Sequence, residues 1–180
     1  KYNLPITVLI DEGSASASEI LAGALKESAG AQIVGLNSFG KGTMQEIIYM
    51  EDGANLKFTT GKWLTPDGNW VNEKGIAPDV KVDYPDYASL PYIDPSQQYE
   101  KEANHASIKT AERILEVLGY EPGKVDTQFD GATEAALKAY QQDNDLEVTG
   151  ILTGDTTYAL MDAISEKLKT EDPQILKAKE

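Results

Sequence analysis

Ile6-Thr7-Val8-Leu9-Ile10, then Asp11-Glu12-Gly13-Ser14-Ala15-Ser16-Ala17-Ser18-Glu19, then Gln32-Ile33-Val34-Gly35-Leu36 make up the stretch on which the fold turns. The first run is short, apolar and rich in β-branched residues, as a buried strand is, and Asp11-Glu12-Gly13 breaks it. From Ser16 onward the apolar positions become Ile20, Leu21, Ala24 and Leu25, one stripe of a 3.6-residue period that stops at the C-terminal glycine signal of Gly30. Gln32 to Leu36 reads as a second strand. Strand, helix and strand within about thirty residues is a βαβ unit, so the fold class is α/β, with parallel strands and a right-handed crossover.

Moving outward, Gln45–Met50 and Leu56–Leu64 read as strands around the turn Glu51-Asp52-Gly53-Ala54-Asn55, which predicts a hairpin. Thr65-Pro66-Asp67-Gly68-Asn69 is a second turn, after which Trp70-Val71 resumes an extended pattern. Pro78, Pro85, Pro91 and Pro95 exclude helix or central strand between Ile76 and Pro95, which reads as wrapping loop and linker. Beyond Gln97 the texture is helical. Ile108, Ala111, Leu115 and Leu118 form one stripe ended by Gly119; Ala136, Leu137 and Tyr140 form a second; Leu160, Met161, Ile164 and Leu168 form a third. The expected organisation is an α/β segment over 1–83, a Pro-rich linker and helix start over 84–106, a three-helix domain over 107–168 and a tail over 169–180.

Composition narrows the chemistry. The chain has 180 residues, a net charge of -14 and a pI near 4.4, which argues against a nucleic-acid or anionic-membrane surface. It has no cysteine, which removes disulfides, thiolate metal sites and cysteine nucleophiles together. His105 is the single histidine, too few for a multi-histidine metal centre, and no metal or cofactor is expected. The opening Lys1-Tyr2-Asn3-Leu4-Pro5 shows neither an initiator methionine nor a signal-peptide pattern, the expectation for a piece of a longer chain.

Two segments carry candidate chemistry. Gly13 to Glu19 lies between strand and helix, where a serine oxygen sits at the positive helix end among backbone N–H groups, a nucleophile's position. Ser16-Ala17-Ser18-Glu19 equally fits a capping box, in which Ser16 satisfies orphan amides and nothing more. In Phe39-Gly40-Lys41-Gly42-Thr43 a lysine is flanked by two glycines just after a strand, so it can be drawn into the protein. Lysine replaces histidine as general base only when neutral, which requires burial to lower its reference pKa of about 10.4. Gln45 can hold the amine by a hydrogen bond without adding negative charge.

These segments resemble the carboxyl-terminal processing, or tail-specific, proteases of serine peptidase family S41. The resemblance rests on Gly13 to Leu21, on Phe39-Gly40-Lys41-Gly42-Thr43-Met44-Gln45 and on the spacing of twenty-five positions from Ser16 to Lys41. It continues through Gly61-Lys62-Trp63-Leu64-Thr65-Pro66-Asp67-Gly68 and Gly75-Ile76-Ala77-Pro78-Asp79-Val80. It implies a serine endopeptidase with Ser16 as nucleophile, Lys41 as general base, Gln45 supporting the lysine, Ala17 N–H as half of the oxyanion hole, and Ser14 and Ser18 structural. It also implies part of a crotonase-like ββα core that begins before Lys1, with the second oxyanion donor and a substrate-recognising PDZ domain in that earlier part. Protein or peptide substrates with exposed or C-terminal segments and an extracytoplasmic bacterial location in signalling or processing follow from the same likeness.

Leu118-Gly119-Tyr120-Glu121-Pro122-Gly123-Lys124-Val125-Asp126, Phe129, Thr133 to Leu137, Tyr140-Gln141 and Val148 to Leu152 resemble a peptidoglycan-binding-type domain. The pairing of the two is similar to CtpB-like members from spore-forming bacteria. Tyr120, Phe129, Tyr140 and Tyr158 fall where periodicity wants core residues, and residues 105–180 hold 8 basic and 15 acidic groups. The expectation for this domain is therefore a homodimer contact rather than peptidoglycan capture. The alternative to an enzyme is a non-catalytic cell-wall-binding or dimerisation fragment.

Overall fold

In the computed structural model, residues 4–180 are described. They form two compact units, the chain up to Tyr84 together with Pro173–Glu180, and Pro85–Asp172. In chain order the elements are β1 (Thr7–Ile10), α1 (Ala17–Ala29), β2 (Gln32–Gly35), β3 (Thr43–Tyr49), β4 (Asn55–Lys62), β5 (Val80–Lys81), a 3-10 turn (Asp86–Ser89), α2 (Ala106–Val117), α3 (Gly131–Asp143), α4 (Gly154–Thr170) and α5 (Pro173–Ala178). The fold is mixed α/β followed by helices, as the periodicities predict.

The first unit is built on a three-stranded sheet of order β1-β2-β5. β1 and β2 run parallel with Thr7 opposite Gln32 and Ile10 opposite Gly35, and β5 pairs parallel to β2. Parallel strands need a crossover, and α1 supplies it, closed by Gly30 in the left-handed region at φ 67. Ile10, Ala22, Ile33, Val71 and Ile76 form the core, with Val8 and Trp63 packed against it.

The face that α1 buries differs from the expected stripe. Glu19, Ala22 and Gly23 are inside, whereas Ile20 and Leu21 are 49% and 60% exposed. The reason is close approach: a side chain at Gly23 would stand 3.2 Å from Thr65 Cγ2 and 3.4 Å from Ile76 Cδ1, so small residues face inward and the larger ones turn out.

β3 and β4 pair antiparallel from Thr43 opposite Lys62 to Tyr49 opposite Asn55, with a register shift between Met44 and Gln45. Trp70-Val71 forms no strand. That segment instead grips the loop before β3, as described below. Residues 169–180 are not simply a tail, because they hold the last turn of α4 and then α5, which packs against β1 and β2. Gln174 is buried there and donates to the Val82 carbonyl at 3.1 Å.

In the second unit α2, α3 and α4 enclose Ile108, Ala111, Ile114, Leu115, Phe129, Leu137, Tyr140, Leu160 and Ile164, and Ile93 joins them from the proline-rich segment. Phe129 and Tyr140 are core residues as predicted, but Tyr158 lies on the exposed side of α4.

Candidate active site

Ser16 stands at the head of α1 with φ 55 and ψ -109, a positive-φ conformation that side chains rarely adopt. The N-caps of α2, α3 and α4 behave differently: His105, Asp130 and Thr153 have the extended backbone usual for an N-cap. A positive φ on a residue with a side chain costs about 1–3 kcal/mol and persists only where its surroundings impose it. At Ser16 the surroundings are explicit. Asp11 and Ser14 close the turn before it, with the Ser14 hydroxyl donating to Asp11 Oδ1 at 3.0 Å and the Asp11 N–H donating back to Ser14 Oγ at 3.1 Å. Phe39 N–H then donates to the Ser14 carbonyl at 2.9 Å, which joins this turn to the lysine loop.

Glu19 is the centre of the arrangement. Its side chain is 0% exposed. Oε2 accepts from the N–H of Ser16 and the N–H of Lys41, each at 2.8 Å, so one carboxylate oxygen holds both backbones. Oε1 accepts from Gly40 N–H and from the Ser38 hydroxyl, each at 2.6 Å. Burial pushes the carboxyl pKa up, but the bonds from Ser38, Lys41, Ser16 and Gly40 outweigh it and leave the group below its ordinary value. Ser38, also buried, passes the connection on by accepting from Ile76 N–H at 2.7 Å.

The lysine loop is held from its other side by tryptophans. Trp63 Nε1 donates to the Lys41 carbonyl at 3.0 Å, and Trp70 Nε1 donates to the Gly42 carbonyl at 2.9 Å. Glu73 N–H donates to the Gly40 carbonyl at 2.8 Å. The flanking glycines serve this grip: a side chain at Gly42 would come 2.6 Å from Asn72 N, and one at Gly40 would come 2.9 Å from Gly75 N.

Lys41 itself is exposed, contrary to the burial expected from its glycines. The loop turns its N–H groups inward to Glu19 and its carbonyls to the indoles, which leaves the side chain outside. Gln45 is also exposed and adjoins the register shift in β3, a device that re-aims side chains. Among the described residues no hydrogen bond joins the side chains of Ser16, Lys41 and Gln45; the backbones of Ser16 and Lys41 are tied through Glu19, and Gln45 has no bond to either. Ala17 opens α1, where a helix leaves its first N–H groups without intrahelical acceptors. Among the described residues no group of three or more potential metal ligands is present. Glu19 was legible only as the third residue of a capping box, and Ser38 gave no local signal.

The fold and this junction define an α/β protein with a serine-bearing strand–turn–helix and a separate helical unit. Comparison with known families is specific for both parts. Residues 1–82 match the model of "Peptidase family S41", and residues 104–160 match that of "Putative peptidoglycan binding domain". The carboxy-terminal processing protease CtpA of Bacillus subtilis (strain 168) is 43% identical over 99% of this chain and 38% of its own length. CtpB of the same organism is 42% identical over 95% of the chain and 36% of its own length. The chain thus spans less than two-fifths of the curated relatives it matches. Among solved structures, a photosystem II D1 C-terminal processing protease is 44% identical over 48% of this chain and 22% of its own, with a TM-score of 0.42.

Proposed function

We propose that this chain is the C-terminal part of a carboxy-terminal processing serine endopeptidase, with Ser16 as nucleophile, Lys41 as general base and Gln45 as its support. The observation that carries this reading is the positive-φ Ser16 at a helix head, tied through one Glu19 oxygen to Lys41. The Ser16–Glu19 contact is a capping box, as the sequence offered, but a cap requires neither the positive φ nor the second bond of the same Glu19 oxygen to the Lys41 N–H. In the reaction Ser16 Oγ bonds to the peptide carbonyl carbon while its proton passes to Lys41 Nζ. The carbonyl oxygen takes the negative charge and accepts from Ala17 N–H. The C–N bond then breaks and the leaving amine takes the proton from Lys41. The neutral Lys41 amine next deprotonates water, which bonds to the acyl carbon as the bond to Ser16 Oγ breaks, and Lys41 returns the proton to Ser16 Oγ.

The exposed positions of Ile20, Leu21 and Phe39 around this junction are natural seats for the rest of the longer protein, which would supply the second oxyanion donor and cover Lys41. One donor fewer lowers turnover about a hundredfold or more, so the 180-residue chain alone is expected to be a poor catalyst. Protein substrates accord with the relatives, which are carboxy-terminal processing proteases, and an extracytoplasmic location is part of the same proposal. In the full-length protein, Ser16→Ala should abolish peptide cleavage; retained turnover, with loss in Ser14→Ala or Ser18→Ala instead, would overturn the assignment.

For the helical unit a homodimer contact is the second reading. A cavity of about 470 Å³ on it sets Leu90, Pro91, Tyr92 and Val125 beside the charged Asp86, Lys109 and Arg113, a mixed lining of the kind a protein contact uses. Deleting residues 107–168 from the full-length protein should convert a dimer to a monomer in sedimentation and leave cell-wall pull-down unchanged.

A further inference from the structure

Two side chains occupy matching places in the helical unit. Glu112, on α2, accepts from the Asp126 N–H at 2.7 Å in the loop that follows and from the Thr133 hydroxyl at 2.6 Å in the first turn of α3. Gln141, on α3, accepts from the Gly150 N–H at 2.8 Å in the loop that follows and donates to the Thr156 hydroxyl at 3.0 Å in the first turn of α4. Each threonine is the third residue of its helix. Both glutamyl side chains are 0% exposed. The same latch is therefore used twice, once with a neutral amide and once with a group that can ionise.

We propose that Glu112 is a proton-binding site and that the helical unit tightens when this carboxylate takes up a proton on mild acidification. The hydrogen bonds balance without any other rearrangement. A solvent proton on Oε1 lets Glu112 donate to Thr133 Oγ1, as Gln141 donates to Thr156. The Thr133 hydroxyl, no longer needed as donor to Glu112, turns to Asp130 Oδ1, already 3.2 Å away. The Asp126 N–H stays on Oε2.

Among the described residues no cation pairs with Glu112. The charged groups facing it, Asp126 and Asp130, come from the loop before α3 and are acidic. Lys124 is engaged by Asp126 at 3.0 Å, and Asp86, beside α2, is held by Arg113. α4 contributes the buried apolar Leu160 and Ile164 to this core. Burial and the two aspartates hold the carboxyl above its ordinary 4.5, against the opposing bonds from Thr133 and Asp126. An acid with a raised folded-state pKa binds its proton more tightly when folded. Its contribution is complete at low pH and is lost as pH rises through that raised value.

The test is carbon-detected titration of the Glu112 carboxyl in the 180-residue chain, paired with amide exchange of residues 106–164 at pH 5 and pH 8, corrected for intrinsic rates. The carboxyl should titrate above 4.5, and wild-type protection should be greater at pH 5, by up to about tenfold per unit of upward shift. Glu112→Gln should be better protected than wild type at pH 8 and lose the difference between the two conditions. A Glu112 midpoint at or below 4.5 would overturn the proposal without reference to any variant, and so would a Glu112→Gln chain less protected than wild type at pH 8.

Discussion

Ser16 combines two properties that substitution can separate, its oxygen and its backbone strain. Ser16→Gly removes the first and relieves the second, because glycine adopts positive φ freely; it should be inactive in the full-length protein yet more stable by about 1 kcal/mol in urea unfolding. Lys41→Arg should be as inactive as Lys41→Ala in a peptide-cleavage assay, since a guanidinium stays protonated and cannot accept the serine proton. Glu19→Gln places an amide donor against the Ser16 and Lys41 N–H groups in one orientation and against the Gly40 N–H and the Ser38 hydroxyl in the other. Loss of such charge-assisted bonds should cost about 3 kcal/mol in the unfolding midpoint and lower turnover together with nucleophile labelling. Serine and lysine were legible in the sequence because their glycine and alanine neighbours mark a strand-to-helix turn and a tight loop. The carboxylate that joins them was not. Three of its four hydrogen bonds come from Ser38, Gly40 and Lys41, far along the chain, and no local pattern reports a partner brought in by folding.

At the scale of elements, the βαβ unit, the hairpin and the three long helices follow from periodicity, while the buried face of α1 does not. A helix that meets its neighbours through alanine and glycine has an inward stripe that hydrophobicity alone cannot find. α5 escaped for a different reason: six residues are too few to show a period, and its anchor is the polar Gln174. Removing Pro173–Glu180 should uncover β1 and β2 and release the Val82 carbonyl, lowering the stability of the first unit by about 2 kcal/mol in urea unfolding, with α2 to α4 unaffected. The lysine loop is fixed as tightly as any helix. Gly42→Ala forces a side chain against Asn72 N and Trp70 Nε1, so it should cost activity at least tenfold even though Lys41 and Ser16 are untouched.

Across the whole molecule, both units hold carboxyls below their ordinary values, and Glu112 is raised against that pattern. In the first, Glu19 sits below its ordinary pKa because its four hydrogen bonds outweigh burial, and Asp79 sits below its own because of Lys26 and the Ile33 N–H. Depressed carboxyls contribute stability above their unfolded values that is lost as pH falls through the folded ones, so this unit should weaken below about pH 4.5. In the helical unit Asp86, Asp94, Asp126, Asp130 and Glu134 are depressed too and lose their contribution at low pH, so the opposite effect of Glu112 belongs to the milder range above 4.5, where residue-resolved amide exchange should show it. The central claim, however, is the pairing of Ser16 with Lys41. Its most direct test is to treat the full-length protein with a fluorophosphonate probe and locate the adduct by mass spectrometry in wild type and Lys41→Arg. The account predicts an adduct on Ser16 that disappears in Lys41→Arg; an adduct on Ser14 or Ser18, or one on Ser16 undiminished by Lys41→Arg, would contradict it.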